Sequence, residues 1–220
     1  MRSAFVFLET SLELVPPEIA CHPSVAFDAR RRGKNPDSII LDDSKHHSAM
    51  KKLPFREKRG RPDIIHQCLL LLLDSPVSKD LEIYVHTLSG HIIKVNPKTR
   101  LPRNYNRFVG LMEDLFRKRR IVAGNEILLE IVDQTLSDIL AHRNVILMSE
   151  KGRRENIGKY LKGDFAVCIG AFPHGDFFPE TRKMLKNANI VSLGEKGYTS
   201  LYVTARVVCE YERVRAVENR

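Results

Sequence analysis

The sequence predicts an α/β fold, on three observations. Beyond residue 120, apolar strand-like runs alternate with helical segments, the order that builds a largely parallel sheet with helices on both faces. Residues 61–76 place a charged entry, Arg61-Pro62-Asp63, directly on an apolar run ending in five leucines, Leu69 to Leu73. Two short strand-like runs flank Ser89-Gly90 and read as a β-hairpin.

Residues 4–8 and 39–41 read as strands, and Asp42-Asp43-Ser44 can cap a helix through Met50. Residues 63–73 form a helix. A bilayer needs roughly 20 apolar residues, so this run is expected in a core, buried from all sides. Pro62 suits its first turn, where a missing amide hydrogen loses no partner. The hairpin arms are 82–86 and 91–95. From 105 to 119, Phe108, Leu111, Met112, Leu115 and Phe116 recur at three- and four-residue spacing, the mark of an amphipathic helix. Strand 145–148, helix 155–161, strand 165–171, helix 180–186, strand 190–193 and a helix over 199–217 follow. Loops at the carboxyl ends of such strands are the usual ligand sites, so those after Leu147, Ile169 and Leu193 should converge.

At 220 residues and 43% hydrophobic composition the chain can bury one substantial core, and a single domain over 1–220 is expected. Lys and Arg number 36 against 27 Asp and Glu, a formal charge of +9. The cations cluster at Arg30 to Lys34, Lys51 to Arg61, Lys98 to Arg107, Arg117 to Arg120 and Lys151 to Arg154, which points to a polyanion such as nucleic acid. No lipidation motif or basic amphipathic helix supports a membrane partner. Cys21, Cys68, Cys168 and Cys209 lack Cys-x-x-Cys spacing and read as reduced core residues of an intracellular protein. The apolar start meets Glu9 and Glu13 with no cleavage site, so it reads as a strand and not a signal peptide.

The run Asn96 to Phe108 carries four cations in ten residues, Lys98, Arg100, Arg103 and Arg107, with Pro97 and Pro102 stiffening the loop. Arginine forks match phosphate oxygens, and proline lowers the entropy lost when a loop is held against a ligand. A solvated basic turn is the equal alternative. The loop Ile169 to Gly175 follows a strand and precedes a helix, yet it matches neither the NTPase phosphate loop nor Gly-x-Gly-x-x-Gly. By itself it is better read as a structural turn than as a ligand loop. His46 and His47 beside Asp42 and Asp43 point in different directions on a helix, so packing is favoured over a metal site. His66 and His174 read as structural hydrogen-bonding residues or ligand contacts.

Taken together, Ile40 to Met50, Arg61 to Cys68 (Arg-Pro-Asp-Ile-Ile-His-Gln-Cys), Leu73-Asp74-Ser75-Pro76, Val95-Asn96-Pro97 and the arginine loop resemble one family. It is the SPOUT-class small-subunit ribosomal RNA pseudouridine N1-methyltransferases, the ribosome-assembly family known in eukaryotes as nucleolar essential protein. The resemblance spans nearly the whole chain. It implies a SPOUT-type α/β fold with a C-terminal trefoil knot, a hairpin and basic-loop extension at about 81–107, a homodimer, and no metal. It also implies S-adenosylmethionine bound by three loops, carried over to Leu147 and Met148, Gly170 and Gly175, and Leu193, Gly194, Glu195, Lys196, Gly197 and Tyr198. The third loop departs from the proline-containing segment of the family. RNA contacts carry over to Arg61, Arg100, Arg103 and Arg107, with Asp63 orienting Arg61. The implied partners are small-subunit rRNA and further ribosome-assembly factors or ribosomal proteins. The lack of long N-terminal tails suggests an archaeal-like, cytoplasmic form.

Asp74 is a candidate proton acceptor, with water or phosphate as alternatives, although a cap for the Ser75-Pro76 turn is its favoured reading. The competing class is a non-catalytic rRNA-binding assembly factor. A related knotted methyltransferase acting on transfer RNA would share the pocket but not need the arginine constellation.

Overall fold

The computed structural model describes residues 3–218. The first strand, β1 (Ala4–Thr10), is buried along its whole length. A strand covered on both faces has no need of polar alternation, and β1 reads as one apolar run until Glu9. Short helices α1 (Pro17–Ala20) and α2 (Pro23–Arg31) lead to α3 (Asp43–Met50), capped as expected by Asp42, whose carboxylate accepts from Ser44 N–H at 3.0 Å. The segment 39–41 is not a strand of the sheet. It makes one isolated bridge, Leu14 to Ile40, because three residues find only the 13–15 segment to pair with.

Next come α4 (Pro62–Asp74), β2 (Glu82–Thr87) and β3 (Ile92–Val95), then α5 (Tyr105–Lys118). The hairpin turns at Gly90, φ +84°, and pairs Ile83 with Val95. Strands β4 (Arg120–Ala123) and β5 (Glu126–Val132) form a second hairpin around Gly124-Asn125, absent from the sequence reading. The rest of the chain is α6 (Leu136–Leu140), β6 (Asn144–Arg154), β7 (Phe165–Gly170), α7 (Pro179–Met184), β8 (Asn189–Ser192) and α8 (Ser200–Glu218). The expected helix at 155–161 is only a 3-10 turn, Ile157–Lys159. Glycines at 158 and 163 and the continuation of β6 to Arg154 leave no length for an α-helix.

One eight-stranded sheet runs β4-β5-β3-β2-β1-β7-β6-β8. It is mixed, not purely parallel: β2, β1, β7, β6 and β8 are parallel neighbours, while β3, β5 and β4 add antiparallel pairs. The first hairpin is continuous with the sheet, since β2 pairs directly with β1. Helices cover both faces. Phe5 and Phe7 pack with α4, α5 and α8, whereas Ala4, Val6 and Leu8 face α6 and Leu185.

Helix α4 buries Ile65, Cys68, Leu69 and Leu72, one stripe at three- and four-residue steps. Burying each such aliphatic side chain contributes about 1.5–3 kcal/mol. The expectation of burial from all sides is corrected here. Five consecutive leucines turn through more than a full circle, so Leu70, Leu71 and Leu73 are only half-buried and line an open groove with Leu201. Of the cysteines, Cys68 and Cys168 lie in the core, where burial pushes their thiols up to about 11 and about 12, but Cys21 and Cys209 are exposed. No described helix is long and apolar enough to cross a membrane.

Candidate active-site cleft and basic face

The cleft forms where β6, β7 and β8 end. Strand β6 pairs with β8 twice at one point: both Met148 and Arg153 stand opposite Val191. Residues 149–152 therefore loop out of the strand, and Ser149 and Glu150 become one wall. The floor is Ile169 and Gly170 at the end of β7, and the second wall is Val191, Ser192 and Leu193 at the end of β8. Ser200 at the start of α8 donates its hydroxyl to Gly170 C=O at 2.6 Å, tying that helix to the floor.

The glycine loop crosses above. Gly175 has φ +99°, a conformation costly for any L residue. A Cβ at Gly170 would stand 3.1 Å from the Phe172 ring and 3.2 Å from Phe177, so a side chain there would have to push the two rings back. Phe172 and Phe177 meet edge to face at 5.4 Å and close the end of the loop. The lining mixes apolar Ile169, Val191, Leu193 and Val203 with polar Ser149, Ser192 and Tyr198. That is the composition of a slot for a small amphipathic molecule held largely by backbone.

Of the residues expected here, Met148, Gly170, Gly175, Leu193, Lys196 and Tyr198 line the cleft. Leu147 does not. Alternation along β6 turns it to the opposite face of the sheet, among Ala4, Val6 and Leu8. Gly194, Glu195 and Gly197 lie in the same loop but off the lining. Glu195 reaches outward to Arg154 at 3.1 Å, and a Cβ on Gly194 would stand 2.4 Å from the Tyr198 hydroxyl oxygen. The sequence reading missed Ser149, Glu150, Ser192 and Val203, which enter only because β6 and β8 register as they do.

A basic depression adjoins the cleft, lined by Arg56, Arg59 and Arg61 together with Asp43 and His47. It shares Pro173 and His174 with the cleft. Arg61 is gripped side-on by Asp63, with Nε–Oδ1 at 2.8 Å and Nη2–Oδ2 at 2.7 Å, and this hydrogen bond raises the Arg61 pKa further. Arg59 forks onto Glu13 in the same way.

The arginine loop is anchored from behind. His66 stacks on Phe108 at 4.2 Å and meets Pro102 C=O at 2.8 Å; Asn104 caps α5; and Tyr105 donates to Asp42 at 2.9 Å. Burial and the Asp42 charge push the Tyr105 pKa upward, so its proton stays in place. Arg100, Arg103 and Arg107 project exposed from this scaffold.

The expected set spreads over two neighbouring surfaces. Arg100 and Arg103 line the leucine groove with Gln67 and Asp74, while Pro102 at His66 and Tyr105 at Asp42 hold the arginine loop against the first turns of α4, with Tyr105 in electrostatic reach of Arg61; Asp74 stands at the other end, about 20 Å along a thirteen-residue helix. Exposed Asp74 thus stands outside the cleft. Other clustered cations are committed elsewhere: Arg32 and Lys34 pair with buried Glu113 at 2.6 and 2.5 Å, and Lys58 is buried. His46 points inward and His47 outward, and among the described residues no group of His, Cys, Asp and Glu converges as metal ligands.

Comparison with known proteins finds relatives along nearly the whole chain. The family described as EMG1/NEP1 methyltransferase matches residues 5–212. The chain is 67% identical over 216 residues to the ribosomal RNA small subunit methyltransferase Nep1 of Archaeoglobus fulgidus, covering 98% of both chains. It is 45% identical to the protein of the same name from Staphylothermus marinus, covering 96% of this chain and 95% of that one. The crystal structure of Archaeoglobus fulgidus Nep1 bound to S-adenosylhomocysteine superposes with a TM-score of 0.95 over 98% of this chain and 100% of that chain, at 67% identity. The chain belongs to the EMG1/NEP1 methyltransferase family.

Proposed function

We propose that this chain transfers the methyl group of S-adenosylmethionine to N1 of a pseudouridine in small-subunit ribosomal RNA, and so serves small-subunit biogenesis. The observation that carries the reading is the junction of the two surfaces: Pro173 and His174 belong to the cleft and to the arginine depression at once. A base presented by RNA on the one would meet what lies in the other. The relatives named above are small-subunit rRNA methyltransferases, and the solved one is bound to the demethylated form of the cofactor.

The cleft suits that cofactor, because its floor is backbone at Gly170 and its walls are apolar with a polar rim. When bound, the cofactor supplies an electrophilic methyl group. Met148, Gly170, Gly175, Leu193, Lys196 and Tyr198 would hold it, with Gly194, Glu195 and Gly197 shaping the third loop and Leu147 supporting it from behind. Arg61, oriented by Asp63, would seat RNA phosphate beside the cleft, splay the base and favour the deprotonated ring. Pseudouridine is joined to ribose through carbon, which leaves a ring N–H that uridine lacks, and this nitrogen gives up its proton as it takes the methyl. Most of the rate would come from holding nitrogen and methyl in line.

Arg100, Arg103 and Arg107 would extend the RNA seat along α4. The half-buried Leu70, Leu71, Leu73 and Leu201 support a homodimer packed on that groove. A single domain with a C-terminal trefoil knot fits the packing of α8 beneath the β6–β7 connection, where a Cβ on Gly158 would stand 2.6 Å from Glu210 Oε1.

The test is methyl incorporation from labelled S-adenosylmethionine into matched RNA hairpins with uridine or pseudouridine at one loop position. Labelling of the pseudouridine hairpin alone is expected, and Gly175→Arg should abolish it while sparing RNA binding. Equal labelling of both hairpins would refute the nucleoside assignment, and labelling of neither would refute the enzyme.

A further inference from the structure

The cluster Lys51 to Arg61 contains one cation that cannot meet RNA. Lys58 has 2% of its side chain exposed, and its ammonium pairs with Glu9, whose side chain is wholly buried. It also donates to Asp176 C=O at 2.6 Å and lies over the rings of Phe172 and Phe178 at 3.8 and 4.2 Å. Its methylenes pack against Gly175, where an added Cβ would stand in van der Waals contact, 3.4 Å from Cγ. The other oxygen of Glu9 accepts Phe178 N–H at 2.7 Å. Glu9 itself sits at φ +47°, an unusual conformation for a non-glycine residue, at the end of β1. Every residue that Lys58 and Glu9 grip on this side belongs to the glycine loop or to its continuation through Phe178 at the start of α7.

We propose that Lys58 and Glu9 are positioning residues for methyl transfer: a buried ion pair that fixes the glycine loop at the height the cofactor requires. The proposal rests on the function assigned above. The RNA side of the same segment has separate anchors. Arg59 forks onto Glu13, and Arg61 N–H donates to Ser11 Oγ at 2.8 Å. Loosening Lys58 therefore frees the cofactor loop, including the edge that Pro173 and His174 give the depression, and leaves Arg59 and Arg61 seated. A lone deletion would strand a buried charge, so the informative variant removes both.

The experiment measures S-adenosylhomocysteine affinity by calorimetry, hairpin affinity by fluorescence anisotropy, and the KM for S-adenosylmethionine, in wild type and in the double variant Glu9→Gln/Lys58→Met. Expected are a Kd for S-adenosylhomocysteine and a KM for S-adenosylmethionine raised about tenfold, with hairpin Kd changed less than twofold. Glu9→Gln alone, nearly isosteric, should move cofactor affinity the same way by about threefold. Unchanged cofactor affinity in either variant overturns the proposal, as does an equal loss of cofactor and RNA affinity, which is the mark of general loosening. Wild type that binds no S-adenosylhomocysteine overturns the functional reading and this inference with it, whereas normal wild-type binding matched by the variants overturns this inference alone.

Discussion

An arginine proposed to meet phosphate must be held without being neutralised, and Arg61 and Arg103 are held differently. Arg61 spends one edge of its guanidinium on Asp63, which leaves the remaining donors facing the depression. The pair is exposed, 46% and 31% at the side chains, so its worth to folding is under about 1 kcal/mol. Asp63→Asn should therefore leave the melting temperature nearly unchanged while weakening hairpin binding, measured by anisotropy. Arg103 forms no ion pair among the described residues, and the rigidity comes from the loop: Pro102 C=O is held by His66, and Asn104 caps α5. Arg103→Ala should lower hairpin affinity about tenfold and reduce the slope of log K against log salt by about one. Cofactor affinity should not move, since Arg103 and the cleft lie on different grooves. A fall in cofactor affinity would show that the two surfaces are one.

At the scale of elements, what was legible in the sequence was what local spacing decides. The apolar run to Leu73 announces helix α4, with burial expected from all sides, but not its one-sided stripe of Ile65, Cys68, Leu69 and Leu72; the apolar run to Gly170 announces β7 and the loop after it. The outward loop of β6 was not legible, because it exists only through pairing with β8, more than thirty residues later. Lys58 belongs in sequence to the cation cluster expected to meet a polyanion, and its burial was not legible for the same reason: Glu9 and Phe178 are distant in sequence. The second hairpin, by contrast, did carry a signal, Gly124-Asn125 between two apolar runs. The looped-out part of β6 is closed by Gly152, where a Cβ would lie 2.6 Å from the backbone carbon of Ile190. Backbone cannot yield as a side-chain tip does. Gly152→Ala should cost about 1–3 kcal/mol, seen as a melting temperature lower by several degrees, and should weaken cofactor binding by displacing Ser149 and Glu150. A variant with wild-type stability and affinity would mean that β8 shifts freely, contrary to this account of the cleft wall.

For the whole molecule, the formal charge of +9 draws polyanions, but stability against acid is set by a few buried groups. His46 has a pKa lowered chiefly by burial, with Asp28 and Asp42 opposing the shift, and His86 is lowered by burial against the pull of Glu9. For each, the unfolded chain takes up a proton near the ordinary value of 6.5 while the folded chain resists. Their contribution is thus complete above about 6.5 and is lost as pH falls through the lowered folded values. Asp42 acts in a lower window. Burial works to raise its pKa, but hydrogen bonds from Ser44 and Tyr105 and the charge of Lys45 outweigh it, so the stability it gives is present above 3.8 and lost below. Two steps should therefore appear when the urea midpoint is followed from pH 8 to pH 3. The first, beginning near pH 6.5, should shrink in His46→Gln; the second should shrink in Asp42→Asn, which still caps α3 but has no charge to lose. A midpoint flat from pH 8 to pH 5 in the parent chain would mean that both histidines keep ordinary values, and that neither the α3 junction nor the end of β2 excludes water as the packing around them implies.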